Sequence, residues 1–380
     1  MAHVADCYVN GSENWIHTQV SHLRDHAPFV LTGQTNNLDQ FDWQPPYYKT
    51  LGRSLPVRAF DKIGQYLLNY RPTFRWKLQQ QDAKLIHAHF GPTGYKVLSL
   101  AEACRLPIIT TFYGHDLSRL PRSDPEWRHR YDELFDRGTH FLVEGSHMKQ
   151  RIVDLGCPEE KVTVHHLGVK VDDLPYQPRH RDDGAPLRIL MAGRFTEKKG
   201  FPYAIDAFAR FLENGGHGEL TLIGGSRSEQ AERDFRTGLR EQAVQHGIED
   251  VIHLQGFLPY ADLIQAYLDH HVFLSPSVEA ENGDNEGGAP VTLIEASATG
   301  MPVVSTFHCD IPEVVLDDET GLLAEERDVS SLAAHLNALD ESPDRMWDLG
   351  AAGRTHIEKE YNAEVQAQKL DHTYASLRRL

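Results

Sequence analysis

Two carboxylates stand on either side of a Gly-Gly-Ala-Pro turn in the stretch NGDNEGGAPVTLIEASATGMP, residues 282–302: Glu286 before the turn and Glu295 after it. Pro290 suits the first helical position, Gly300 suits the residue after the last turn, and Pro302 prevents continuation, so the pattern predicts a helix from about Pro290 to Thr299. The strand HVFLSPS feeds it and the strand MPVVST follows it. Its start therefore lies at the carboxyl edge of a parallel sheet, where open α/β sheets bind ligands. Free backbone N–H groups and the positive end of the helix dipole favour phosphate there, and Gly287 and Gly288 let backbone approach it closely. Glu295 sits beyond the turn that could cap the helix start. An ionised acid beside phosphate is repelled, so its task reads as accepting hydrogen bonds from sugar hydroxyls. A nucleotide supplies both diphosphate and ribose. The plainer alternative is an ordinary acid near a helix start for Glu286 and a solvated helix position for Glu295.

A second constellation is LRILMAGRFTEKKGFPYAIDAFARF, residues 187–211. A strand ends at Gly193, Arg194 and Lys199 follow on the connecting loop, and an apolar-periodic helix begins near Phe201. Cations at that place can neutralise a leaving diphosphate. His87 and His89 look like a metal pair, but a shared strand face also suits packing and no third ligand stands nearby in sequence, so no metal site is expected.

The elements that must position these residues follow from alternation of short apolar runs with longer amphipathic ones, the pattern of parallel strands joined by crossover helices. Strand candidates are PFVLTG, LIHAHF, PIITTFY, HFLVEGS and VTVHHLGV in the first half, then LRILMAG, ELTLIGG, VIHLQG, HVFLSPS and MPVVST. Between the halves DDLPYQPRHRDDGAP, residues 172–186, reads as a linker. The expected division is a first domain at 1–172, a linker at 173–186 and a second domain at 187–359, with a final helix at about 360–380 packing back on the first domain.

At 380 residues the chain exceeds the usual single-domain size. A formal charge of −17 argues against a general nucleic-acid binder. Residues 47–81 break that trend, with Lys49, Arg53, Arg58, Lys62, Arg71, Arg75 and Lys77 against Asp61 alone. This basic, aromatic segment could meet an anionic membrane surface or an anionic acceptor; a solvated face of an amphipathic helix is the plainer reading. No long apolar run and no signal core are evident, so a cytoplasmic protein is expected, with peripheral contact at the inner membrane surface left open. Cys7, Cys104, Cys157 and Cys309 are scattered and suggest neither a disulfide framework nor a zinc knuckle.

The second half resembles the retaining glycosyltransferases of family 4, which have the GT-B fold, and within them the colanic-acid and exopolysaccharide branch. The resemblance rests on GRFTEKKG (193–200), LIGG (222–225), LQGFLP (254–259), residues 275–306 around the paired acids, and IPEVV with ETGLL (311–323). Weaker echoes in the first half are GSENWIHTQVSHL, HAHFGPTGY, TTFYGHD, VEGSHMKQRIVDLGCPEEKV and HHLGV. The resemblance implies two Rossmann-like parallel-sheet domains facing across a cleft, the first on the acceptor side and the second holding the donor. It implies that Glu295 holds the ribose and Glu286 the transferred hexose, with Pro290, Val291 and Thr292 offering backbone groups. Arg194 and Lys199 would bind the diphosphate, Gly224 of LIGG would lie beside the donor, and main chain around Gly256, Phe257 and Leu258 would meet the base. The acids are spaced one residue wider than the family's E-x7-E pattern, so the loop must bulge if both keep their roles.

Where many members carry His-Gly near the donor hexose, this chain has Tyr113, with His115 two residues later. Either His115 or Asp116 could face the anomeric carbon, and a turn-forming Gly-His-Asp is the alternative. Gly11 and Ser12 after the first strand are candidates to line the donor site. The expected activity is transfer of a hexose with retention from a nucleotide sugar to a sugar, lipid-linked or small-molecule hydroxyl, without cofactor or metal. A nucleotide-sugar epimerase of the same fold and a non-catalytic nucleotide-sugar-binding protein are the alternatives. A Rossmann dehydrogenase is disfavoured, since no Gly-x-Gly-x-x-Gly follows the first strand.

Overall fold

Two parallel sheets organise the chain. The computed structural model describes residues 1–9, 14–38, 41, 43–182, 184–226 and 228–377. Met1–Lys170 and Tyr361–Leu380 form one unit, and Val171–Glu360 the other.

The first unit carries β1 (Ala2–Tyr8), β2 (Phe29–Thr35), β3 (Tyr47–Lys49), β4 (Ile86–His89), β5 (Ile108–Thr111), β6 (His140–Val143) and β7 (Val162–Val164). They form a seven-stranded sheet in the order β3-β2-β1-β4-β5-β6-β7, and every pairing is parallel. The second unit carries β8 (Leu187–Arg194), β9 (Gly218–Gly225), β10 (Ile252–Gln255), β11 (Val272–Ser275), β12 (Val303–Thr306) and β13 (Gly321–Ala324). These give a six-stranded parallel sheet in the order β10-β9-β8-β11-β12-β13. Sheets covered by helices on both faces have continuous apolar strands rather than alternating ones, and β4, β5, β11, β12 and β13 are buried at every position.

Strand order reverses at β1/β4 in the first sheet and at β8/β11 in the second. At such switch points the loops leaving the carboxyl ends part and open a crevice. In the second unit, β8 runs into the short turn Glu197–Lys199 and the helix Phe201–Glu213. Gly200 between them has φ +76, and a Cβ there would collide with the Pro276 carbonyl, so only glycine fits the turn. The helix buries Phe201, Ile205, Phe208 and Phe211 in the unit's core.

The segment expected as a linker, 173–186, packs as part of the second unit. Arg179 is 2% exposed and donates from Nη2 to Thr299 Oγ1 at 2.7 Å, at the carboxyl end of the helix Val291–Ala298. Arg181 pairs with Asp340, and Leu174 is buried. Proline and charge resembled linker composition, but Arg179 and Arg181 are both tied into the unit, Arg179 at a helix carboxyl end, where a cation is favoured. The helix Ala363–Leu377 lies in the first unit: Asp371 accepts from the Arg24 backbone N–H at 3.0 Å, and Tyr374 meets His87 Nδ1 at 2.6 Å.

Candidate active site

The site is built at the carboxyl edge of β8 and β11. Lys199, in the turn after β8, donates from Nζ to Glu286 Oε2 at 2.9 Å, and both side chains are largely buried. Ser277 Oγ donates to the other carboxylate oxygen at 3.1 Å. The neighbouring Lys198 reaches the Asn285 carbonyl at 2.6 Å and Asp284 Oδ1 at 3.2 Å. Below, the Glu286 backbone N–H donates to His308 Nε2 at 3.2 Å, and His308 Nδ1 meets Glu326 Oε1 at 2.6 Å.

Burial alone would raise the Glu286 pKa, but the Lys199 and Lys198 ammonium groups outweigh it and pull the carboxyl down to about 2. Burial pulls Lys199 down as well, against the attraction of Glu286. The direction that governs is ion pairing: near neutral pH the carboxylate and ammonium are both charged and face each other.

The loop between the two acids turns at Gly287. Gly287 adopts φ +75, and its N–H donates to the buried Asn285 side chain at 3.1 Å. Gly288 and Pro290 are buried, and the helix proper runs Val291–Ala298 with Pro290 as its N-cap and no side-chain cap. Val291 and Thr292 thus begin a helix that has no capping side chain at its start. Thr292 Oγ1 donates to the Ala192 carbonyl at 3.1 Å, tying this start to the end of β8.

Glu295 is not a solvated helix position. It is 5% exposed and accepts from the Tyr260 hydroxyl and from the Tyr267 hydroxyl, each at 3.1 Å. Burial raises its pKa to about 7, with the two tyrosine bonds opposing. Its carboxylate engages the helix Tyr260–Asp269, whereas Lys199 engages Glu286, so the acids belong to two neighbouring clusters rather than one. Arg194 ends β8 with its side chain exposed, near enough to Lys199 to disfavour the charge there.

Gly224 lies on β9, where a Cβ would strike the Gly193 carbonyl and the Phe195 ring, so strand packing accounts for this glycine. Beyond β10, Gly256 and Leu258 are half-buried and Phe257 is 82% exposed. Sequence reasoning passed over Lys198, Ser277, His308, Tyr260 and Tyr267. A usable signal existed for the tyrosines, which stand seven residues apart and so share one helix face.

In the first unit the TTFYGHD turn places its two candidates, Asp116 and His115, in different surroundings. Asp116 is 1% exposed and accepts from the Gly91 N–H at 2.8 Å and the Tyr113 N–H at 3.0 Å. Burial raises it to about 6, with these amide bonds opposing. Its carboxylate closes the turn and the start of the helix Gly91–Cys104, a structural task. His115 is exposed on the same turn, after Gly114. Gly11 and Ser12 lie outside the described residues.

The third imidazole that the sequence did not reveal is His3. β1 and β4 align His3 with His87, and the ligand atoms of His3, His87 and His89 lie within 4.8 Å of one another. His3 Nδ1 and His89 Nε2 are 3.0 Å apart, while His89 Nδ1 meets the Tyr113 hydroxyl at 2.6 Å. His87 uses one nitrogen on Tyr374 and the other on Thr111, each at 2.6 Å. The ligand count would suit a metal ion, but one would have to break at least one of these bonds.

A family model described as Glycosyl transferases group 1 matches residues 175–356, and one described as Glycosyltransferase Family 4 matches residues 9–173. A protein of Escherichia coli strain K12 named as a colanic acid biosynthesis glycosyltransferase, WcaL, is 36% identical over 295 residues, covering 76% of this chain and 69% of its own. The amylovoran biosynthesis glycosyltransferase AmsK of Erwinia amylovora is 34% identical over 294 residues with the same coverage. Among solved structures, Anabaena Alr3699/HepE in complex with UDP and glucose superposes with a TM-score of 0.78 at 15% identity, covering 99% of each chain.

Proposed function

The chain belongs to the group 1 glycosyl transferases and has their GT-B fold of two Rossmann-like sheets, and we propose that it transfers a hexose, with retention, from a nucleotide sugar to a carbohydrate or lipid-linked hydroxyl in exopolysaccharide synthesis. The observation that carries this reading is the buried Lys199–Glu286 pair beside an uncapped helix start at the β8/β11 switch point. In the proposed reaction the donor diphosphate lies over that helix start. Lys199, shared with Glu286, and the exposed Arg194 meet the charge that grows as the sugar–phosphate bond breaks. This supplies the positive charge from the chain's own side chains, so the reading includes no resident metal or cofactor. Glu286 faces the hexose hydroxyls, and the acceptor attacks on the face the diphosphate leaves. HepE, a fold relative, is described with UDP and glucose, which makes a uridine diphosphate hexose the first donor to try. We place the enzyme in the cytoplasm, with peripheral contact at the inner membrane surface.

Screening nucleotide sugars for thermal protection, in the presence of a chelator, tests the donor. A donor at a hundred times its Kd should stabilise the protein by about 2.7 kcal/mol. If no nucleotide sugar protects and none is consumed with any acceptor, the reading fails. Sugar product formed without acceptor would instead indicate an epimerase.

Glu295 is proposed to hold the ribose. A carboxylate has about four acceptor positions, of which the tyrosines occupy two. Ribose hydroxyls need the ionised form, and Glu295 takes up a proton at about pH 7. Donor affinity should therefore be constant above that pH and fall roughly tenfold per pH unit below it. Calorimetric titration of Glu295→Gln should give weaker binding with a flat pH profile; a wild-type profile that is flat from pH 8 to about 6 counts against the assignment.

A further inference from the structure

The helix Leu55–Leu68 is inside out for a water-soluble surface. Its buried residues are Asp61 and Gly64. Asp61 accepts from the Thr73 N–H at 3.1 Å and the Thr73 hydroxyl at 2.7 Å, and Gly64 sits so close to Pro72 that a Cβ would collide with its ring. The polar and small side therefore fixes the helix to the rest of the unit, while Leu55, Phe60, Ile63, Tyr66 and Leu67 are 56–86% exposed. At 3.6 residues per turn these five fall within an arc of roughly 140°, with Arg58 and Lys62 along one flank.

Exposed large apolar side chains are common singly, and contiguous patches mark interaction sites. Ten of the sixteen such residues among the described residues fall between Trp43 and Trp76. Six of the seven cations at residues 47–81 lie in the same stretch and Lys77 directly follows it, and none of the seven is ion-paired to an acid among the described residues. Their one acidic neighbour in sequence, Asp61, is turned inward. Lys77 lies over the Tyr48 and Trp76 rings, and Trp76 is 55% exposed at the margin of the patch.

We infer that this face docks on an anionic lipid bilayer, with Phe60, Ile63 and Leu67 entering the acyl boundary, Trp76 and Tyr66 at headgroup level, and Arg58 and Lys62 among acidic headgroups. No described helix is long and apolar enough to cross a membrane, and this helix of 14 residues lies in the interface plane. A symmetric contact between two copies would bring the same cations face to face. A nucleic acid would have no use for the apolar arc. The assignment deepens the membrane placement proposed above but rests on none of the donor chemistry, so either can fail alone.

The test is flotation of the full chain with vesicles of neutral phosphatidylcholine or of phosphatidylcholine with about one third phosphatidylglycerol. Binding is expected to the anionic vesicles, weakened by high salt, and reduced roughly thirtyfold in Arg58→Ala/Lys62→Ala and at least as much in Ile63→Ser/Leu67→Ser. Both variants change exposed residues, so their melting temperatures and donor binding should match the wild type. Equal binding by variants and wild type, or none to either vesicle, overturns the proposal. Concentration-dependent dimerisation abolished by Ile63→Ser/Leu67→Ser, without vesicle binding, overturns it in favour of self-association.

Discussion

Lys199→Met should lower turnover by about 10²–10³-fold, the usual effect of removing one preorganised group that meets developing negative charge. It should also destabilise the second unit by about 3–5 kcal/mol, because it leaves Glu286 buried without its main partner. Lys198 would still act on the carboxylate, which keeps the loss toward the lower figure. The two consequences separate in the double variant Lys199→Met/Glu286→Gln. With both charges gone, nothing is left uncompensated and most of the stability returns, while turnover stays low. Urea unfolding and kcat/KM for the single and double variants decide the matter. Wild-type turnover in a destabilised Lys199→Met would make the pair structural and remove the cation from the mechanism. The pair carries its own pH signature: the folded pKa of Glu286 lies below that of the unfolded chain, so its contribution is complete above about pH 4.5 and is lost as pH falls through about 2.

Which parts of this site could be foreseen depended on what each residue answers to. Pro290, Gly300 and Pro302 act on their own backbone, and the helix Val291–Ala298 begins within one residue of its expected start. Strands buried on both faces appear as apolar runs, which is why VFLS and VVST were legible. β3, three exposed or half-exposed residues at a sheet edge, carries no such run. Lys199 and Glu286 were each placed at the sheet edge, but their mutual bond joins residues 87 apart and exists only once β8 and β11 are neighbours. Likewise His3 joins His87 and His89 because β1 lies beside β4, a pairing that residue spacing does not encode. Asp116 had two readings, and burial with two backbone donors selects the turn. Arg179 misled for a related reason: charge suggested solvent, yet a helix carboxyl end can hold a guanidinium indoors.

The first unit should lose stability steeply in mild acid. His3 and His87 are held well below the ordinary imidazole value, first by burial and then by neighbouring histidines. His89 and His165 are lowered to about 3, burial again leading. All four are neutral in the fold at neutral pH, whereas in the unfolded chain each takes a proton near pH 6.5. Their folded values are depressed, so no cost exists above about pH 6.5, and each histidine then removes about 1.4 kcal/mol per pH unit as the pH falls. Asp116 works in the opposite direction between about pH 6 and its unfolded value, since its folded carboxyl binds the proton first. For these five groups the net is about three protons, or roughly 4 kcal/mol per pH unit, against a typical total of about 5–15 kcal/mol, and His17 and His140, also lowered by burial, act in the same direction. The first unit should therefore unfold near pH 5, while the Lys199–Glu286 pair is still intact. Near-ultraviolet circular dichroism can follow it, because Trp15, Trp43, Trp76 and Trp127 lie in that unit and Trp347 alone in the other. His3→Phe should reduce the pH slope of the urea midpoint by about one proton; a midpoint unchanged between pH 7 and about 5 in the wild type would show that these imidazoles take up protons without unfolding.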